Sequence, residues 1–233
     1  GVIEILSSRR EYTKLNPLVV LLGKGEHDVT SSWTDEDGDE IETTLGITRS
    51  NITFVGTGKD TTTILGGFGI REKENITFKN MTVTNTSEVE LFDGCGIHMR
   101  NAQVELFDVA LKGCANRALC ALYIFDGSET TIVATRCEFA NCRDGAAVYG
   151  SLTSATFNNC VFNDNSTGIF AYHYSTIHLH GEATAIHSNG VGIVALHSAD
   201  VLIHLPSHHN TTYNNGEQDR ITTNGGTITN VED

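Results

Sequence analysis

Basic side chains are scarce in this chain. Its 233 residues carry 15 Lys and Arg against 29 Asp and Glu, a formal net charge of −14 with His neutral. No basic stripe or Lys/Arg cluster offsets that deficit, which argues against nucleic acid or any polyphosphate as partner. A bare polyanionic sugar is disfavoured on the same ground, unless a cation bridges it. No apolar run approaches the ~20 residues that span a bilayer, and no basic start followed by an apolar centre marks a signal peptide. Proline is nearly missing, with two residues against 23 glycines. Val, Ile, Thr and Asn are abundant instead, a mix that suits β-structure with tight corners.

What the chain does have is a repeat, and the repeat decides the fold class. The segments "NITFVG" at 51, "NITFKNMTVTN" at 75, "QVELFDVALKGC" at 103, "TIVATRCEFANC" at 131, "SATFNNCVFNDN" at 154, "TIHLHGEATAIHSN" at 176 and "LIHLPSHHNTTYNN" at 202 align. Their lead apolar residues are Ile52, Ile76, Val104, Ile132, Ala155, Ile177 and Ile203, separated by 24, 28, 28, 23, 22 and 26 residues. An earlier copy, "VVLLGKG" at 19, aligns with "ITFVGTG" at 52, with Gly23 over Gly56. Within each unit apolar residues alternate with polar ones, the period of strands rather than helices. A second short strand follows a one- or two-residue corner. A third begins at a small residue, in "GIHMR" at 96, "ALYIF" at 121, "GAAVY" at 145, "GIFAY" at 168 and "GIVAL" at 192.

Three short strands per turn, each with one face inward, describe a coil whose strands stack in parallel on their equivalents ~4.8 Å away. The expected fold is therefore all-β, a single-stranded solenoid of about eight coils. On these repeats the chain resembles the right-handed parallel β-helix proteins of the pectate-lyase-like superfamily over roughly residues 17–215, with "VVLLGKGEHDV" and "NITFVGTGKDTTTILGG" similar to that family's opening coils. One domain is expected over 1–233. Residues 1–16, with helical spacing of Val2, Ile5 and Leu6, would cap the first coil, and residues 216–233 would cap the last. The insertion "SSWTDEDGDE" between the first two coils reads as a surface loop.

The third strands carry the most informative pattern. With Ile97/Met99, Leu122/Ile124, Ala146/Val148, Ile169/Ala171 and Ile193/Ala195 inward, their neighbours face out. Those include His98 and Arg100, then Tyr123, Phe125, Tyr149, Phe170 and Tyr172, with His173, Tyr174 and His197 at the edge. A continuous aromatic stripe on the outside of a protein marks a binding surface. Tyr123, Phe125, Tyr149, Phe170, Tyr172 and Tyr174 are its expected contact residues. The candidate partners are a glycan, whose rings stack on aromatic faces, a protein, or a second copy of this chain. Cover by a segment of the same chain is the plainer alternative.

Enzymes of the superfamily imply another reading, a polysaccharide lyase or epimerase acting in a groove beside the stripe. Its candidate catalytic groups are His98, Arg100 and Asp93 in "LFDGCGIHMR". The paired carboxylates of such lyases and hydrolases, and the "DPHE" run of epimerases, have no counterpart here, so a non-catalytic binding or scaffold role is the preferred expectation. Calcium is weighed at Asp35, Asp37 and Asp39 in "DEDGDE", but Gly38 comes too early for a D-x-D-x-D-G loop. No cofactor is otherwise expected. "VGTGKDTT" lacks the first glycine of a phosphate loop, since Thr53 stands there.

Seven of the ten histidines lie from residue 178 onward. His178 and His204 read as equivalent outward positions on adjacent coils, without a third metal ligand fixed by spacing. Cys137 and Cys160, and likewise Cys114 and Cys142, read as buried thiols stacked one coil apart. Free thiols lean toward a reducing, intracellular compartment. Six Asn-x-Ser/Thr sequons occur, at Asn51, Asn75, Asn80, Asn85, Asn165 and Asn210. Threonine-rich β-corners also generate that pattern by chance.

Overall fold

The computed structural model describes residues 12–34, 40–87, 94–122, 129–204 and 211–232. The described residues form a parallel β-solenoid with no helix. Three ladders run its length. The first stacks Ile52 on Ile76, Val104, Ile132, Ala155, Ile177, Val201 and Ile228. The second stacks Leu111, Phe139, Phe162 and Ile186. The third has eight strands and stacks Phe68, Ile97, Leu119, Ala146, Ile169 and Ile193. Alternation does the sorting: in Thr153–Asn158 every second residue is buried. The inward residues meet in one continuous core, where Phe54 stacks on Phe78 at 5.1 Å and Phe139 on Phe162 at 4.6 Å.

Corners repeat as faithfully as strands. Asn80, Asp108, Arg136 and Asn159 follow the first strands of successive coils, and all four have left-handed backbones, with φ between 52° and 56°. Asn and Asp tolerate that region best, which is why they recur there. Glycines at the third-strand starts answer a different need. A Cβ on Gly145 would lie 2.6 Å from the Gly168 carbonyl oxygen, and one on Gly168 would lie 2.7 Å from that of Gly192. Inside another corner, Asn165, Asn189 and Asn215 form an amide ladder. The Asn165 Nδ2 donates to Asn189 Oδ1 at 3.0 Å, and the Asn189 Nδ2 donates to Asn215 Oδ1 at 3.0 Å. Two sequons, Asn85 and Asn165, are 1% and 4% exposed. Their side chains serve the interior, which closes them to glycosylation in the folded chain.

Both ends of the described solenoid stay in register. Gln218–Thr223 continues the third ladder and Thr227–Val231 the first, so the stretch expected as a C-terminal cap adds a rung to each. Residues 1–11 of the expected N-terminal cap lie outside the described residues. Thr13 bridges Asn16 just after them.

Three expected registers are corrected. Leu18, not Val19, pairs with Ile52, so Val19 and Leu21 face outward at 50% and 78% exposure. In the fourth third-ladder strand, Arg117–Leu122, the small leading residue is Ala118 rather than Ala121. Ala121 therefore faces the core, while Leu122 faces out between Arg100 and Tyr149. A one-residue slip exchanges the faces of a strand, and alternating small and apolar residues such as "ALCALYIF" fit two frames equally well. Finally, His178 pairs with Leu202 and Leu179 with Ile203. Val201, not Ile203, is the partner of Ile177, which sets His204 beyond the expected rung.

Candidate functional site

The outer face of the third ladder is treated differently along its length. Toward the N-terminal end, Gly46, Gly69 and His98 stack in one outward column. Trp33, from the short antiparallel hairpin of Trp33–Thr34 with Glu40–Ile41, lies over them. A Cβ on Gly46 would lie 2.6 Å from Trp33 Cδ1, and one on Gly69 would lie 2.6 Å from Cδ2. The indole thus occupies the space of two missing side chains. It also meets the His98 ring edge-on at 5.5 Å, and His98 is left 7% exposed. In its described residues, the insertion read as a surface loop supplies Trp33 as a roof over these glycines. Its acidic residues Asp35, Asp37 and Asp39 lie outside the described residues, as do Asp93, Tyr123 and Phe125. Arg100 is half-buried at the next outward position, stacked between Arg71 and Leu122.

Further along, the outward positions carry rings. Tyr149 pairs directly with Tyr172, and Phe170 lies one step along the same strand. The Tyr149 ring is 5.7 Å from Phe170 and 5.9 Å from Tyr172, and Phe170 stacks with Tyr172 at 6.1 Å. Tyr172 continues the chain to His173 at 5.9 Å and His197 at 4.8 Å, and His173 meets Tyr174 edge-on at 5.3 Å. Offset and edge-on arrangements at these separations are attractive. The structure thus brings four of the expected contact residues, Tyr149, Phe170, Tyr172 and Tyr174, into one connected group across adjacent coils. The guanidinium of Arg117 lies 5.7 Å from the Tyr149 ring centre and pairs with the buried Asp144 carboxylate at 3.1 Å. Burial pushes the Tyr149 phenol up to about 12, opposed by Arg117.

Strain marks one end of this group. His173 and Tyr174 both have left-handed backbones, at φ 57° and 61°, and His197 and Ser198 repeat the pair one coil on at 52° and 59°. His enters that region more readily than most side chains, but a residue as bulky as Tyr is rare there, at a cost of about 1–2 kcal/mol relative to a right-handed backbone. The turn nonetheless holds Tyr174 57% exposed, with His173 and His197 also in the open. The strained pair is invisible to an alternation pattern. Asn224–Gly225 at the next equivalent position, two residues that favour the same turn, is the signal that could have revealed it.

A second cluster lies on the outer face of the first ladder. His180, rather than His178, is the residue one coil below His204. The His180 and His204 rings stack at 4.0 Å. His178 still reaches the pair diagonally, its Nδ1 2.9 Å from His204 Nε2. One nitrogen from each of the three lies within 4.8 Å of the others. Burial, and then the neighbouring His204, hold His178 below the usual imidazole value. The alternation in "HLH" at 178–180 places both its imidazoles on one face and could have supplied the missing third ligand.

All six thiols are free and buried. The Cys142 sulfur accepts from the Cys114 amide at 3.2 Å, in keeping with the expected stacking of that pair. Among the described residues no helix is long and apolar enough to cross a membrane.

Fold and site together define a solenoid scaffold bearing a group of connected, half-buried rings that ends at the exposed Tyr174. The chain belongs to the right handed beta helix region family, whose model matches residues 43–184. No curated protein matches it. Among solved structures it is similar to tailspike protein gp49 from Acinetobacter baumannii bacteriophage Fri1, a capsular polysaccharide depolymerase, with 16% identity and a TM-score of 0.44. That match covers 92% of this chain but 41% of the tailspike chain, so this chain spans well under half of it. It is also similar to the thermostable pectate lyase PL 47, with 8% identity, a TM-score of 0.44, and coverage of 98% of this chain and 76% of the lyase.

Proposed function

We propose that this β-helix is a non-catalytic binding module that holds a neutral glycan against Tyr149, Phe170, Tyr172 and Tyr174. The observation that carries the reading is the strained His173–Tyr174 turn, which spends folding energy to keep a tyrosine ring in solvent beside a connected set of rings. Strain of this kind persists where surrounding structure over-determines it, and it gathers at ligand-binding sites. Sugar faces stack on aromatic rings. Rings one coil apart are ~4.8 Å apart along the axis, a rise comparable with one pyranose unit, so successive sugars meet successive coils. The net charge of −14 favours an uncharged glycan over a polyanionic one.

A catalytic reading draws less support. His98 is packed beneath Trp33. On the described third-ladder strands the carboxylates are Asp144, paired with Arg117, and Asp219 on the terminal strand. Affinity electrophoresis through gels containing single neutral polysaccharides, run beside a reducing-end assay, tests the proposal. At least one polysaccharide is expected to retard the protein without being cleaved. Tyr172→Ala, which removes the central ring, is expected to weaken that retardation about tenfold, since aromatic contacts contribute ~0.5–1.5 kcal/mol each beyond buried area. Turnover of any polysaccharide that Arg100→Ala abolishes would overturn the proposal.

A further inference from the structure

We propose that His178, His180 and His204 form a three-imidazole site for a divalent transition metal of the zinc class, on a face of the solenoid distinct from the aromatic group. The placement follows from the fold. An H-x-H pair on one strand directs both rings to the same side, because side chains alternate with period two. The partner strand in the first ladder supplies the third ring, with His204 one rung from His180. Strand-borne ligands are held more rigidly than loop-borne ones.

The distances suit a metal. Three nitrogens within 4.8 Å of one another can close on one ion with Zn–N bonds of about 2.0–2.1 Å after small side-chain rotations. His178 Nδ1 and His204 Nε2 already face each other across 2.9 Å, and a bound metal would displace the proton that one of them carries there. Zinc sites with three protein ligands leave the fourth position to water or a substrate. The donor set selects the ion. Imidazoles suit zinc, copper, nickel and iron, whereas calcium and magnesium require oxygen ligands. The strongly acidic chain concentrates cations around it. A bound ion would link residues 24 positions apart in sequence (204 minus 180), and so clamp two successive coils.

Chelator-treated protein titrated with zinc chloride by calorimetry tests the site, with cobalt(II) as a visible-absorbing substitute. One equivalent is expected to bind. Cobalt is expected to give the intense ligand-field bands of a four-coordinate site, and zinc to raise the thermal midpoint. His180→Ala and His204→Ala are each expected to weaken binding beyond the roughly 10–100-fold that loss of an outer hydrogen-bond partner causes. His187→Ala, whose ring stacks on Tyr213 in the second ladder, is expected to bind zinc as the parent does. These positions face outward, so circular dichroism is expected to be unchanged in all three variants. Wild-type protein that binds no zinc overturns the proposal. So does undiminished binding by the triple variant His178→Ala/His180→Ala/His204→Ala, or a cobalt spectrum that His180→Ala leaves intact.

Discussion

The two halves of the third ladder share an interior and differ outside. Inward, Ile70, Met99, Ala121, Val148, Ala171 and Ala195 stack in one unbroken column. Outward, the N-terminal half gives up its side chains at Gly46 and Gly69 and takes an indole from the inserted hairpin. The C-terminal half builds half-buried rings into its own strands and ends in a turn that holds Tyr174 in the open. A solenoid separates these tasks because side chains alternate: the core repeat fixes the coil, and the outer positions vary without disturbing it. One half uses that freedom to close a face, the other to present one.

The sharpest way to break the contrast is to refill the roofed half. Gly69→Val puts a side chain where Trp33 already sits, 2.6 Å from its Cδ2. The indole must leave, with a loss of about 1–3 kcal/mol typical of overpacking. Trp33 is the single tryptophan, so its emission reports the event directly. A red shift with a lowered urea midpoint is expected; an unshifted spectrum would mean the roof does not depend on the glycines.

Tyr149 sits at the seam of the two halves, and burial raises its phenol to about 12. In the unfolded chain that phenol ionises near its ordinary value of about 10. Between those values the folded state holds a proton that the unfolded state has lost. Its contribution is therefore full below about pH 10 and disappears as pH rises through about 12. Tyr149→Phe is expected to remove that component. Urea midpoints measured at pH about 9 and about 11 should fall less for the variant than for the parent. Equal falls would place the Tyr149 hydroxyl in solvent.

Much of this was legible in the chain itself. Spacings of 22–28 residues and strict alternation identify coil and core, because every rung must bury the same face. The weak points were frames in which both faces are apolar or small. "VVLL" at 19–22 and "ALCAL" at 118–122 read equally well one residue or several residues away, and only pairing with the neighbouring rung decides between them. The ring group was legible at Tyr149, Phe170, Tyr172 and Tyr174, which large residues at outward positions reveal. The roof was not, since Trp33 arrives from a hairpin whose sequence is polar and whose target is two glycines. The strain in the His173–Tyr174 turn was legible only through Asn224–Gly225 in the equivalent corner, because a left-handed backbone at Tyr breaks the local preference that makes such turns readable.

That turn supplies the finest test of the contrast. In the next coils the equivalent residues are His197–Ser198 and then Asn224–Gly225, the last with φ of 50° and 82°. The chain therefore already contains an unstrained version of the same corner. Replacing His173 and Tyr174 by Asn and Gly transplants it. Gly in place of Tyr174 relieves one left-handed L-residue and returns about 1–2 kcal/mol, partly offset by the roughly 0.5–1 kcal/mol of extra backbone freedom that glycine gives the unfolded chain, while Asn in place of His173 remains an L-residue in the same region. A net stabilisation of about 1 kcal/mol is expected in chemical denaturation, together with weaker glycan retardation, because an exposed ring has gone. Stabilisation with unchanged binding would separate the strain from the site. Destabilisation would mean that packing of His173 and Tyr174 on Tyr172, rather than function, holds the turn in place.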